Sequence, residues 1–310
     1  MRARPLALPR LLRRPVARFV NGFIQPAAGP AVDFAHPPGE PALLPPDALS
    51  WQVFKNPLAV AIGGIAAVIL ELAEPRVRTG VWEHTSFRTA PLPRLQRTGL
   101  AAMLTVYGPR GQTEAMIARV NRLHGRVQGT TPSGQDYRAD DPELLAWVQA
   151  TASFAFTEAY HAYVRPLANA ERDQLYAEGE VTTRLYGVLN APTTAQAMTA
   201  VFQAMRPRLE PSAIVFDFLD IMRRAPILPS LLRPVQTLLV KGAVDIVPLW
   251  AREQLGLLGP AWRLNRAQRW LLAMAGSWAD RLVLDDSPAV QACARLGLPA
   301  DYLYQSRHHP

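Results

Sequence analysis

Residues 92–127, LPRLQRTGLAAMLTVYGPRGQTEAMIARVNRLHGRV, decide the fold prediction because two amphipathic helical segments meet there at a short break. Pro91 and Pro93 suit a first helical turn, where the N–H that proline lacks would be unpaired anyway. The break follows at Gly108-Pro109, and a second helix is predicted from about Thr113. The stretch therefore predicts a helical hairpin around which the other helices pack.

Each arm of this hairpin has an apolar stripe at helical spacing. On the first arm the stripe consists of Leu95, Gly99, Ala102, Met103 and Val106. On the second arm the predicted buried face consists of Met116, Ile117, Val120, Leu123 and Val127. Both arms are therefore expected to pack against a common core.

Arg94 and Thr98 lie four residues apart on the first arm and so share one face of the helix. A cation in a first turn meets the positive end of the helix dipole, so helix stability does not explain Arg94. An anionic partner would explain it. The alternative is an ordinary ion pair at the surface.

His124 lies at the edge of the predicted buried face of the second arm. Its neighbours beyond that edge, Ala118, Asn121 and Gly125, are small. An imidazole with clearance beside it suits haem, whose iron needs one strong axial ligand. The alternative is a core histidine that is hydrogen-bonded to the backbone.

Several motifs of the sequence resemble one family when they are taken together in order and spacing. They are WEHTSF at 82–87, RLQRT at 94–98, NRLHGRVQG at 121–129, YRADDPELLAWV at 137–148, RPLANAE at 165–171 and LYGV at 185–188. This pattern resembles the catalytic domain of rubber oxygenases (latex clearing proteins) and MpaB-type oxygenases. The resemblance covers residues 50–205 well and the C-terminal third weakly.

The resemblance implies a function and a set of site residues. It implies a b-type haem whose iron is bound by His124, with Arg94 and Thr98 beside the haem. It also implies an upstream carboxylate that acts as a base, for which Glu83 is the nearest candidate. The expected reaction is the oxygen-dependent cleavage of a carbon–carbon double bond in an isoprenoid or other unsaturated apolar substrate.

Composition predicts an all-α, multi-helical fold in one large domain, and the family resemblance implies that this fold binds haem. Hydrophobic residues make up 49% of the 310 residues and charged residues 19%, which is typical of a globular chain. The 29 prolines divide the chain into many helices, and no stretch alternates clearly enough to predict a sheet. The expected division is a basic N-terminal segment and Pro-rich strap at 1–49, a catalytic domain at 50–300 and a loose tail at 301–310.

Three further features of the composition constrain the fold. Cys293 is the only cysteine, which excludes a disulfide framework. The thirteen-residue apolar run 58–70 is too short to cross a bilayer and predicts a buried helix. Four tryptophans of the C-terminal third are expected to be core residues: Trp250, Trp262, Trp270 and Trp278.

The net charge of +8 is concentrated near the N-terminus. Six arginines precede the first acidic residue, Asp33: Arg2, Arg4, Arg10, Arg13, Arg14 and Arg18. Residues 10–24 form a basic amphipathic segment that can contact an anionic membrane surface. The alternative is a helix that packs on the core. The segment is a poor secretory signal, so a cytoplasmic protein with peripheral membrane contact is expected.

Two other functional classes remain open at this point. Glu158 and His161 form one Glu-x-x-His step of the kind found in di-iron bundles, although such a bundle needs two steps and two further glutamates. A non-enzymatic, membrane-peripheral helical protein is the second alternative. The sequence contains no dinucleotide, P-loop, serine-hydrolase or zinc-protease motif. No nucleic-acid-binding module is recognisable either, despite the high pI.

Overall fold

In the computed structural model, the described part of the chain is residues 32–305 together with the short strand Leu6–Ala7. Helices make up 64% of the structure and strands 3%, so the prediction of a single all-α domain is confirmed. Residues 10–24 lie outside the described residues, and their amphipathic character stays a prediction.

Thirteen α-helices lie within residues 32–305. They are α1 (Leu49–Phe54), α2 (Pro57–Glu71), α3 (Pro75–His84), α4 (Pro91–Tyr107), α5 (Arg110–His124), α6 (Pro142–Tyr163), α7 (Asn169–Leu185), α8 (Ala195–Met205), α9 (Ala213–Arg224), α10 (Arg233–Ile246), α11 (Leu249–Gln254), α12 (Arg266–Ala279) and α13 (Pro288–Arg295). Strand β1 (Leu6–Ala7) pairs in parallel with β4 (Leu282–Val283), and β2 (Gln128–Thr130) pairs antiparallel with β3 (Asp136–Arg138).

Helices α2 and α6 form the centre of the domain. The side chain of Asn56 begins α2 by accepting hydrogen bonds from the backbone N–H groups of residues 58 and 59, and Asp141 caps α6 in the same way. Gly63 lets the two helices meet closely, because a Cβ there would lie 2.9 Å from the Cα of Phe156. Most of the apolar run in α2 is buried, as expected.

The described residues contain no single helix that is long and apolar enough to cross a membrane. Helices α2 and α3 together reach that length and composition, but they are bent by 111° at their junction. The bend follows the end of α2 at Glu71, a residue of the candidate site described below.

The predicted helical hairpin is confirmed as α4 and α5. A Cβ at Gly108 would lie 2.5 Å from both the carbonyl oxygen of Leu104 and the hydroxyl of Thr113, so the turn requires glycine. The Thr113 hydroxyl donates to the Leu104 carbonyl at 2.9 Å and joins the two arms. Helix α5 begins at Arg110, earlier than expected. Ile117 is buried, but Leu123 is 50% exposed and its prediction as a buried residue is wrong.

Arg295 anchors the hairpin to a second group of buried residues. Its guanidinium donates to the carbonyl oxygens of Phe34, Glu40 and Tyr107 at 2.5, 2.8 and 2.7 Å. Leu303 and Tyr304 are buried in the same region, so the expectation of a loose tail does not describe residues 301–305. The other domain boundaries stay a prediction.

The tryptophans of the C-terminal third divide into two groups. Trp262 is buried, as expected, and Trp250 is half-buried against the core, whereas Trp270 and Trp278 are 60% and 49% exposed. The prediction of a core position is wrong for these two residues. The reason is that α12 buries the opposite face, which carries Leu272 and Gly276.

The adjacent glycines of α2 provide a matched test of the central packing. We expect Gly63→Ala to destabilise the fold by about 1–3 kcal/mol, because the new methyl group would overlap the backbone of α6. The control Gly64→Ala has open space within 4 Å and should stabilise it by about 0.5–1 kcal/mol through helix propensity. Urea unfolding of both variants measures the difference. Equal effects would contradict the close approach of α2 and α6.

Candidate functional site

Arg94 and Thr98 lie together on the first turns of α4. The guanidinium of Arg94 donates to the Thr98 hydroxyl, and that hydroxyl donates to the Arg94 carbonyl oxygen at 3.0 Å. Thr98 thus holds the arginine side chain along the helix. Arg97 points elsewhere and donates to the Ser86 hydroxyl at 3.0 Å. Arg94 is the half-buried one of the two arginines.

Glu71, the last residue of α2, is the carboxyl group whose charge acts on Arg94. Burial raises the pKa of Glu71 to about 7, and the positive charge of Arg94 opposes that rise. Burial in turn lowers the pKa of Arg94, and Glu71 opposes that change. Each residue stands at the unfavourable end of its own helix dipole, an acid at a C-terminus and a cation in a first turn. Their helices therefore gain nothing from them, which is typical of groups retained for a site.

His124 is the last residue of α5 and faces the same guanidinium. Burial and then the charge of Arg94 lower the pKa of His124, while Asp140 acts in the opposite sense. Its Nδ1 atom is buried and has no hydrogen-bond partner in the described part of the chain. A buried polar atom without a partner is costly, so this one calls for an explanation. The imidazole is neutral near pH 7, which is the form that binds a metal ion.

The β2–β3 hairpin brings Asp140 back to the end of α5. The Ala139 N–H donates to the Val127 carbonyl at 2.9 Å, which closes the loop that follows His124. A Cβ at Gly125 would lie 3.6 Å from an oxygen of Asp140, so the small residue after the histidine leaves room for the carboxylate. Arg138 holds Asp140 at 3.0 Å.

Glu83 lies apart from this group. Its side chain is exposed at the end of α3, where its carboxylate accepts a hydrogen bond from the Tyr137 hydroxyl and raises the pKa of Tyr137 together with burial. The neighbouring His84 also contacts that hydroxyl, at 3.1 Å. The structure thus places Arg94, Thr98 and His124 together with Glu71, and places Glu83 at the β2–β3 hairpin.

Glu158 and His161 are both engaged in other contacts. Glu158 pairs with Arg172 at 2.9 Å, and the His161 Nδ1 accepts a hydrogen bond from the Leu167 N–H at 2.8 Å. These contacts join α6 to the chain that leads into α7. They account for both residues without a metal ion.

The fold and site define an all-α protein with a half-buried, neutral histidine beside a carboxyl group and a guanidinium. The chain belongs to the family described as ER-bound oxygenase mpaB/B′/rubber oxygenase, catalytic domain, whose model matches residues 51–278. The family expected from the sequence motifs is therefore confirmed, and it is a family of oxygenase catalytic domains. No curated protein and no solved structure matches the chain.

The donor set around His124 fits a haem. A haem iron needs only one axial ligand from the protein, and the neutral imidazole of His124 can supply it. Within residues 32–305, no group of three or more His, Cys, Asp and Glu side chains is placed to hold a bare metal ion. The half-buried guanidinium of Arg94 is suited to a propionate carboxylate.

The coupling of Glu71 to Arg94 can be measured without any cofactor. We expect the free energy of unfolding of the wild type, relative to Glu71→Gln, to fall as the pH rises from 4.5 to about 7 and then to level off. In that window the unfolded chain has released its proton while the folded carboxyl still holds it. Arg94→Ala should extend the fall to higher pH, since it removes the charge that favours ionisation.

The matched control is Arg97→Ala, because Arg97 affects the pKa of Arg94 but is not among the groups that shift Glu71. Denaturant unfolding over a pH series gives the pH at the midpoint of this fall in the wild type, in Arg94→Ala and in Arg97→Ala. A midpoint that stays unchanged in Arg94→Ala would show that the two groups do not interact.

Proposed function

We propose that this protein is a haem b-dependent oxygenase that uses O₂ to cleave a carbon–carbon double bond in an isoprenoid or other unsaturated apolar substrate. The observation that carries the proposal is the unpartnered, neutral imidazole of His124 beside Arg94, in a chain of an oxygenase family. The bound haem would supply the activation of O₂.

His124 would provide the axial ligand to the iron. Arg94 would donate paired hydrogen bonds to a haem propionate, a geometry that guanidinium and carboxylate groups share. Thr98 would act as a positioning residue, because its hydroxyl fixes the guanidinium of Arg94. The negative charge of ionised Glu71 would partly offset the positive charge of that guanidinium.

Glu71 is also the carboxylate that we propose as the base, in place of Glu83. A pKa of about 7 leaves much of this side chain ionised at neutral pH, and an ionised carboxylate oxygen can take an allylic proton from the substrate. The Glu83 carboxylate already accepts a hydrogen bond from the Tyr137 hydroxyl, and its side chain is exposed to water. The buried Glu71, with its raised pKa, is therefore better suited to act as a base than the exposed, hydrogen-bonded Glu83.

An apolar surface beside the end of α5 supports an apolar substrate. Leu123 is 50% exposed, and the side chain of Asn121 donates to the Leu185 carbonyl at 2.8 Å, which brings the end of α7 alongside. Leu185 is 37% exposed. Leu123 and Leu185 at this surface would favour contact with a hydrocarbon chain.

The first test concerns the cofactor. Protein purified after haem loading should show a Soret band, and His124→Ala should lose stoichiometric haem because the axial ligand is gone. The matched control His161→Ala should keep the band, since its imidazole bonds to the backbone. Thermal unfolding of both variants checks that they are folded. A His124→Ala protein that retains haem while His161→Ala loses it would overturn the assignment.

The second test concerns the reaction. Incubation of haem-loaded protein with polyprenyl substrates under ¹⁸O₂ should yield aldehydes or ketones that carry the label. Glu71→Gln should lower the rate by about 10²–10⁴-fold, as expected for loss of a general base, while keeping the Soret band. Glu83→Gln should change the rate little. Absence of labelled carbonyl products from a broad panel of unsaturated lipids would remove this substrate class.

A further inference from the structure

Helix α12 carries an apolar stripe on the side that faces away from the protein. The stripe consists of Ala267, Trp270, Leu271, Met274, Ala275 and Trp278, all of them exposed. Their spacing of three and four residues puts them on one face. The opposite face of the same helix is buried. A helix that is apolar on both sides has a second partner, because a helix at a water-facing surface normally has a polar outer face.

The N-terminal end of α10 extends this apolar surface. Arg269 donates to Asp245 at 2.6 Å, and a Cβ at Gly242 would lie 2.9 Å from Leu272. Residue 269 of α12 thus lies by residue 245 of α10, and the later residue 272 lies by the earlier residue 242. The two helices are therefore antiparallel. The start of α10 therefore lies near the end of α12, close to Trp278. Leu231, Leu232 and Val235 in that region are 90%, 44% and 46% exposed. We call these residues and the α12 stripe the α10–α12 face.

The α10–α12 face is bordered by positive charge. Residues 263–281 contain four arginines and one acidic residue, Asp280, which pairs with Lys55 at 3.0 Å. Arg233, Arg263 and Arg266 are exposed, and none of them forms an ion pair with another of the residues that the structure describes. Arg266 immediately precedes the α12 stripe and Arg233 follows Leu232.

From this combination we propose that the α10–α12 face docks onto an anionic lipid surface. Tryptophan favours the region between lipid headgroups and acyl chains, and basic residues at its edge are attracted to anionic headgroups. The face offers two exposed tryptophans and three leucines within a basic border. This inference needs neither haem nor the proposed reaction.

Charge argues against two other occupants of this face. In a two-fold dimer the same patch meets itself, so the basic border formed by Arg233, Arg263 and Arg266 would meet an equally basic border. The segment at residues 10–24 is equally unsuited, since it contains four arginines and no acidic residue.

The test uses flotation of the full chain with vesicles of phosphatidylcholine alone or mixed with phosphatidylserine. We expect binding to the mixed vesicles that falls as salt is added. The double variant Arg233→Gln/Arg266→Gln should weaken it about 25-fold, or about fivefold for each arginine near an anionic surface. Its matched control is Arg119→Gln/Arg122→Gln, which removes two exposed arginines of α5 and should leave binding unchanged.

The apolar part of the face is tested in the same assay. Leu231→Ser/Leu271→Ser should weaken binding about tenfold or more, whereas Leu189→Ser, at an exposed leucine elsewhere, should have no effect. Bromine-labelled lipids should quench tryptophan emission of the wild type, and Trp270→Phe/Trp278→Phe should lose that quenching. All changes are at exposed positions, and an unchanged thermal midpoint confirms folding.

Three results would overturn the proposal. One is that neither vesicle binds the protein. Another is that vesicle binding is lost in Arg13→Gln/Arg14→Gln but is unaffected in the α10–α12 variants, which would place the contact in the N-terminal segment. The third is a dimer in sedimentation that Leu231→Ser/Leu271→Ser dissociates, which would identify a second copy as the occupant.

Discussion

The close approach of α2 and α6 is the constraint on which the other elements depend. With glycine at position 63, the backbones of the two helices lie close together, and Phe156 of α6 packs against Phe54 of α1. This packing fixes the direction of α2 and therefore the point at which it ends. Because α3 departs at 111°, Glu71 stands at a corner and not inside a longer helix. The position of Glu71 thus depends on the glycine at position 63, eight residues earlier in α2.

The site itself works against local stability. A carboxylate at the C-terminal end of a helix, a guanidinium in a first turn and a buried imidazole nitrogen without a partner all carry a cost. Thr98 offsets part of it by holding Arg94, and Arg138 offsets part by fixing Asp140. Burial of the large apolar core around α2 and α6 offsets the remaining loss of stability. A fold optimised for stability alone would not place these three groups together.

Much of the architecture could be predicted from the sequence, because its signals are local. Proline at the start of α4, glycine at its turn and proline at the start of α6 mark helix ends wherever they occur. The association of Arg94, Thr98 and His124 also followed from spacing and family motifs. Glu71 could not be found in this way, because it is separated from Arg94 by the bent junction and all of α3. The one signal available was its position as the acid that ends the most apolar run of the chain.

The errors in prediction share a physical cause as well. Periodicity identifies an apolar face, but it does not say whether the protein or something else covers that face. Leu123 and Trp278 both belong to regular apolar patterns, and both are exposed because another face of their helix already packs on the core. Exposed apolar residues on otherwise well-packed helices are therefore the positions where a sequence pattern most easily predicts burial wrongly.

Arg94 connects the two titratable groups of the site in a way that a neutral residue could not. Its charge lowers the pKa of His124 and also lowers the pKa of Glu71. For the imidazole this charge favours the neutral ring, and for the glutamate it partly offsets the rise in pKa that burial causes. One fixed cation thus acts on both titratable groups of the site. Lysine would not reproduce this arrangement, since its ammonium lacks the planar, forked set of N–H donors from which Arg94 donates to Thr98.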